Sequence, residues 1–235
     1  MKIGSKKFTL VIILIIVTFL VCSLFFSFNN SINDKNKHIR NLSFFEEYYL
    51  KRIEQFEKEN GKAKNVDVIF IGDSLTDGCD LNKYYPSFTT LNRGISGDTT
   101  TGVFKRLDVS VKDVESKVVV MLIGVNNIDE MMNDYEDILK WYKENVPERQ
   151  IVLLSLTCMT GNWARLNEKA IVNNQLIKNL SIKYDYHFID LFTPLCNPIT
   201  NELYDEYTID GGHFTNEGYI VISKIVNEVL SSIIE

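Results

Sequence analysis

At 235 residues with a formal net charge of −6, the chain has room for one well-buried domain and not for two of ordinary size. The charge is uneven: residues 1–65 hold 11 Lys/Arg against 6 Asp/Glu, while residues 66–235 hold 14 against 25, and so acidic a body excludes nucleic acid as the expected partner. Cys79, Cys158 and Cys196 are too few and too scattered for a disulfide framework, so unpaired buried thiols are expected, with a single bridge as the alternative.

Lys2, Lys6 and Lys7 precede an uncharged run over residues 8–28, FTLVIILIIVTFLVCSLFFSF. About 20 apolar residues suffice to cross a bilayer as a helix. A cleaved signal peptide usually has a shorter apolar core that ends in small residues, whereas here bulky side chains continue to Phe28. Cys22 follows Val21 and Leu20, which are larger than a lipoprotein cleavage site accepts. Residues 1–28 are therefore expected to be an N-terminal transmembrane anchor, with a signal segment and a secreted product as the alternative. The N-terminal lysines favour an inside N-terminus and a folded body outside the cell membrane, although Lys35, Lys37 and Arg40 reduce the asymmetry. Residues 29–43 (NNSINDKNKHIRNLS) read as a polar stalk, and residues 44–235 as the folded domain.

Within that domain Phe45, Tyr49, Ile53 and Phe56 recur at helical spacing over residues 44–60. The run VDVIFIG then reads as a buried strand, and TLNRGI, VVVMLIG, IVLLSL and HFID are comparable. Helical patterns over residues 99–107, 129–146, 162–184 and 216–234 separate or follow them. Strands alternating with helices imply a mostly parallel sheet covered on both faces, a three-layer α/β/α sandwich. In such sheets the site lies beyond the carboxyl ends of the strands.

Those strand ends deliver Gly72-Asp73-Ser74-Leu75, Asn92-Arg93-Gly94 and Gly124-Val125-Asn126-Asn127 to one rim. A serine hydroxyl becomes a useful nucleophile only when a base takes its proton. Of three histidines, His38 lies in the stalk and His187 opens an apolar strand, where a structural role is expected; His213 remains, in the loop Asp210-Gly211-Gly212-His213. Asp210 can turn its carboxylate onto the Nδ1 of His213. Acyl transfer also needs donors for an oxyanion, and the N–H groups of Ser74 and Gly94 with the side-chain amide of Asn126 are the candidates.

These residues resemble the blocks of the SGNH/GDSL hydrolase family: Ile71-Gly72-Asp73-Ser74-Leu75, a second block centred on Gly94 within Asn92-Arg93-Gly94-Ile95-Ser96-Gly97-Asp98-Thr99, Gly124-x-Asn126, and Asp210-x-x-His213 followed by Phe214 and Thr215. The resemblance spans about residues 66–234. It implies a flavodoxin-like fold, a catalytic triad of Ser74, His213 and Asp210, and an oxyanion hole of Ser74, Gly94 and Asn126. Neither a metal nor a cofactor is expected. Asn127 stands where the family usually has Asp, similar to the branch resembling platelet-activating-factor acetylhydrolase, whose members favour short acyl groups; a structural role is expected for it. An α/β-hydrolase elbow, G-x-S-x-G, would need glycine where Thr76 stands.

The expected activity is hydrolysis of a short acyl ester, acetyl foremost, on a small-molecule, carbohydrate or other envelope-associated substrate. An O-acyltransferase with the same triad, a lysophospholipase or thioesterase, and a non-catalytic surface binding protein are the competing readings. A single membrane helix offers no conduit for cytoplasmic acyl donors, and the intact catalytic set argues against a mere binder. Asp129, Glu130, Asp134, Glu136 and Asp137 have no histidine nearby and read as a solvated helix face rather than a metal site.

Overall fold

The computed structural model describes residues 44–234. The anchor and stalk expected over residues 1–43, and His38 with them, lie outside the described residues. Among those described, no helix is long and apolar enough to cross a membrane.

Helix α1 (Phe44–Asn60) leads into β1 (Val66–Gly72), which is followed by the short helices α2 (Ser74–Asp77) and α3 (Leu81–Tyr84) and by β2 (Thr90–Gly94). Helix α4 (Thr100–Lys105), capped by the Thr99 side chain on the Gly102 N–H, leads to β3 (Ser116–Leu122). Then come α5 (Met132–Asn145), β4 (Gln150–Leu154), α6 (Asn167–Tyr184) and β5 (His187–Ile189). A short helix α7 (Phe192–Leu195), a small hairpin of β6 (Cys196–Asn197) and β7 (Glu202–Leu203), and α8 (Asn216–Ile233) complete the chain. The five main strands are all parallel in the order β2-β1-β3-β4-β5, with Gly72 opposite both Gly94 and Leu122.

Alternation along each strand makes the layers. Ile69, Ile71, Val119, Met121, Ile151 and Leu153 pack on Val103, Tyr135, Ile138, Leu139, Tyr142 and Ile177 from α4, α5 and α6. Val68, Phe70, Val118, Val120, Val152 and Leu154 pack on Leu81, Tyr84, Ile222, Val226 and Leu230 from α3 and α8. The expected three-layer sandwich is thus the fold. Its chain leaves β1 for β2 on one side and returns to β3 on the other, so the crevice between these strand ends is the switch point where ligands bind in such sheets.

Some boundaries moved for local reasons. The helix expected from residue 129 begins at Met132, because Val125–Asn127 form a tight turn first. The helix expected from residue 162 starts as a 3-10 segment, Gly161–Leu166, and becomes α-helical at Asn167, whose buried amide holds Met159 N–H at 3.0 Å and Met159 C=O at 2.8 Å.

The cysteine expectation is corrected. Cys158 and Cys196 form a disulfide, their Cα atoms 5.4 Å apart and within bridging range, while Cys79 is free. The chain after β4 and the hairpin strand β6 meet only in the folded domain, so a pair 38 residues apart gave no spacing signal.

Candidate active site

Ser74 sits one residue past β1. The Asp73 carboxyl caps the turn by accepting the Leu75 N–H at 3.0 Å. That carboxyl is completely enclosed, and burial pushes its pKa up to about 7, the Leu75 hydrogen bond and the field of His213 opposing the shift only in part.

His213 and Asp210 arrive together on the loop before α8. His213 Nε2 lies 2.9 Å from Ser74 Oγ, and His213 Nδ1 lies 2.7 Å from Asp210 Oδ2. A carboxylate on Nδ1 fixes the proton there, which leaves Nε2 free to accept one from the serine. Asp210 also accepts the N–H groups of Gly212 at 3.0 Å and His213 at 2.8 Å through Oδ1. Burial resists its charge, but these N–H donors and the imidazole outweigh burial and hold its pKa down at about 2. The loop is closed by Ile209 N–H on His213 C=O and by Thr160 N–H on Gly211 C=O, both 2.9 Å. Gly211 has φ +96°, and any Cβ there would meet the Thr160 carbonyl oxygen at 2.4 Å, so only glycine lets the loop lie this close.

Asn126 lies at the end of β3 and donates one amide hydrogen to the Asp98 carbonyl at 2.8 Å. The Ser74 N–H makes no hydrogen bond among the described residues. Gly94 is different, and the expectation for it is corrected. Its N–H is already given to Asn92 Oδ1 at 2.9 Å, its carbonyl accepts from Arg52, and the residue is buried. Gly94 is required by packing instead, since a Cβ there would lie 2.1 Å from the Asp77 nitrogen. The exposed turn comes three residues later at Gly97, with φ +80° and an N–H without a partner among the described residues. Gly97 thus offers a free backbone N–H beside the site that the sequence pattern did not single out. The available signal was that a glycine paired in register within a strand cannot also be the turn beyond it.

Asn127 points its amide elsewhere. Its Oδ1 accepts Thr100 N–H at 3.3 Å and its Nδ2 donates to Thr100 Oγ1 at 2.9 Å, tying the turn after β3 to the start of α4. Asp98, beside Gly97, is held by the enclosed guanidinium of Arg106 (Nε–Oδ2 2.8 Å), which also donates to the carbonyls of Arg93 and Gly72. Burial raises the Asp98 pKa, and Arg106 opposes that shift.

A cavity of about 40 Å³ opens on Ser74 and His213, walled by Val125, Asn126, Thr157, Met159 and Trp163. The last three walls come from the segment after β4, which carried no motif. Away from the site, His187 Nε2 pairs with Gln150 Oε1 at 3.0 Å. Asp137 pairs with Lys140 and Glu136 with Lys183, while Lys169 reaches Asp129, so much of the acidic run is engaged with lysines.

A family model described as GDSL-like Lipase/Acylhydrolase matches residues 70–221. No functionally curated protein matches the sequence. Among solved structures, a protein from Streptococcus pneumonia provisionally described as a platelet activating factor is 26% identical, with a TM-score of 0.74, covering 80% of this chain and 94% of its own. A GDSL-like lipase from Bacteroides thetaiotaomicron is similar at 21% identity and a TM-score of 0.68 over 77% of this chain and 97% of its own. An acetylxylan esterase from Geobacillus stearothermophilus shares the fold at 18% identity and a TM-score of 0.59, over 72% of this chain and 95% of its own.

Proposed function

The chain belongs to the GDSL-like lipase/acylhydrolase family and is a carboxylic ester hydrolase; we infer that Ser74 is its nucleophile and that it removes a short acyl group, acetyl foremost, from a carbohydrate or other envelope-associated ester. In this reading His213 Nε2 takes the Ser74 proton as Oγ attacks the ester carbonyl. Asp210, ionised well below neutral pH, stabilises the imidazolium that forms. The Ser74 N–H, the Gly97 N–H and the second amide hydrogen of Asn126 receive the oxyanion, in place of the Gly94 donor first expected. Collapse releases the alcohol, which takes a proton from His213, and water repeats the sequence on the acyl-enzyme.

The observation that carries the acyl preference is the cavity beside Ser74. About 40 Å³ is space for about three waters, at roughly 10–15 Å³ each. That suits a two-carbon acyl group, with Met159 and Trp163 among the side chains that line the space. The carbohydrate assignment has support in the shared fold of an esterase that acts on acetylxylan. A location outside the membrane, with residues 8–28 as the anchor, has support in the Cys158–Cys196 bridge, because such bonds persist in oxidising compartments.

The test compares nitrophenyl acetate, butyrate and octanoate with acetylated xylo-oligosaccharides, using the full chain in detergent. The expected order of kcat/KM is acetate over butyrate over octanoate, with acetate released from the oligosaccharides. A preference for octanoate would overturn the short-acyl reading. Transfer of acetyl to an added sugar in preference to water would replace hydrolysis by acyl transfer.

A further inference from the structure

Helix α1 has no place in the reaction as described, yet it is bonded to both sides of the site through one carboxylate. Asp77 closes the short turn that Ser74 opens. Its Oδ2 accepts the Tyr48 hydroxyl at 2.6 Å, the Ser96 hydroxyl at 2.6 Å and the Ser96 N–H at 3.1 Å, while Oδ1 lies 3.5 Å from Arg52 Nη2. Arg52 also donates to the Gly94 carbonyl from Nε at 3.2 Å and from Nη2 at 3.0 Å. Asn92 ties the same parts from the other side, donating to the Thr76 carbonyl at 2.7 Å and accepting the Gly94 N–H. The Arg52 and Asp77 side chains are only 14% and 11% exposed, so water competes little for these bonds. Burial, together with donation to Asp77, pushes the Tyr48 hydroxyl pKa up to about 12, so it remains a donor across the working pH range.

We propose that Asp77 is a positioning residue, and that Tyr48 and Arg52 of α1 act through it and through the Gly94 carbonyl to set the distance between Ser74 and the Gly97 turn. None of the three lines the cavity that opens on Ser74. Ser96, the residue next to Gly97, is held by two of the bonds to Asp77, so the placement of that backbone donor depends on a helix outside the motif blocks. Donor placement matters most where charge develops, and a misplacement of about 1 Å costs about a hundredfold. The proposal rests on the oxyanion arrangement proposed above.

The test uses the full chain in detergent, with turnover of nitrophenyl acetate expressed per serine titrated by a phosphonate, so that unfolded protein does not count. Asp77→Ala should lower kcat per titrated site by about 10- to 100-fold and leave KM within about twofold. Asp77→Asn keeps an acceptor for Ser96 and should recover most of that loss. Tyr48→Phe and Ser96→Ala remove little bulk and keep the test open if Asp77→Ala fails to fold. Each should lower kcat several-fold and slow phosphonylation in parallel, and the double variant should fall short of the product of the two losses, because both hydroxyls serve one oxygen. Unchanged kcat per titrated site in Tyr48→Phe and Ser96→Ala would overturn the proposal, as would an Asp77→Asn variant no better than Asp77→Ala. Ser74→Ala distinguishes the two levels: turnover surviving in that variant removes the hydrolase site, whereas its loss beside normal Tyr48→Phe and Ser96→Ala variants removes only the role given to α1.

Discussion

Asn126 spends one amide hydrogen on the Asp98 carbonyl at 2.8 Å, and the other has no partner among the described residues. The bond fixes the plane of the amide, so in the proposed oxyanion hole the free hydrogen is held in place before substrate arrives. Its neighbour Asn127 spends its amide on Thr100 instead. Asn126→Ala should therefore lower kcat by about a hundred- to a thousand-fold, or about 2.7–4 kcal/mol, with little change in KM. Asn127→Ala should lower the melting temperature and largely spare turnover. Asn127→Asp should turn over nearly normally, because an Asp carboxylate can accept both the Thr100 N–H and the Thr100 hydroxyl. Steady-state kinetics and thermal melts on the three variants check this, and a catalytic lesion at Asn127 with a normal Asn126→Ala would reverse the assignment.

The Ser74, His213 and Asp210 contacts form one continuous chain of hydrogen bonds, so their losses should not multiply. Ser74→Ala should abolish phosphonate labelling, and the Ser74→Ala/His213→Ala pair should be no slower than either single variant. Asp210→Asn should retain more activity than His213→Ala, since the backbone N–H bonds to residue 210 still hold the loop. Residual rates on nitrophenyl acetate rank the variants.

The buried Asp73 carboxyl gives a pH signature of known sign. Its folded pKa is raised from the usual 3.8 to about 7. A carboxyl raised in this way contributes stability that is present below its unfolded value and is lost as pH rises through the folded one. Asp73→Asn keeps an acceptor for the Leu75 N–H and removes the titration. The melting temperature of the variant relative to the parent should therefore rise between about pH 4 and about pH 8. A difference that stays constant over that range would count against a buried, titrating carboxyl.

Breaking the Cys158–Cys196 bridge should cost stability through the loop of 38 residues that it closes. The expected loss is about 2–4 kcal/mol, read as a lower denaturation midpoint with reductant or in Cys158→Ser/Cys196→Ser. Met159 beside the bridge lines the cavity proposed to take the acyl group, so the reduced protein should also discriminate less between acetate and butyrate esters.

With residues 8–28 as an uncleaved anchor, the mature chain should begin near Met1 and stay with membranes through a high-salt wash. N-terminal sequencing and fractionation check this. A secreted chain beginning near Asn29 would establish cleavage instead.

Much of this was legible before any coordinates. VDVIFIG and VVVMLIG are short, β-branched runs that end in glycine, the pattern of strands buried on both faces, and their glycines mark the rim. The meeting of Ser74, His213 and Asp210 was legible because a serine nucleophile would need a histidine and only one was suitably placed. The second block was misread at Gly94, where sequence alone cannot tell a glycine demanded by packing against Asp77 from one demanded by a turn. Thr157, Met159 and Trp163 were silent, since a cavity wall needs only bulk in the right place. The bonds from Tyr48 and Ser96 to Asp77 were silent too, because ordinary polar residues far apart in sequence carry no period or spacing.

The pairing of Ser74 with His213 crosses 139 residues, and its near end is fixed by the last helix, where the Tyr219 hydroxyl holds the Leu75 carbonyl at 3.0 Å. A ribosome delivers the proposed nucleophile well before the proposed base. On that reading Ser74 stays inert until the loop that carries His213 has docked, and hydrolysis waits on that docking. Ester turnover is in this sense a report that the whole domain has closed, which no probe of the first strands alone would give.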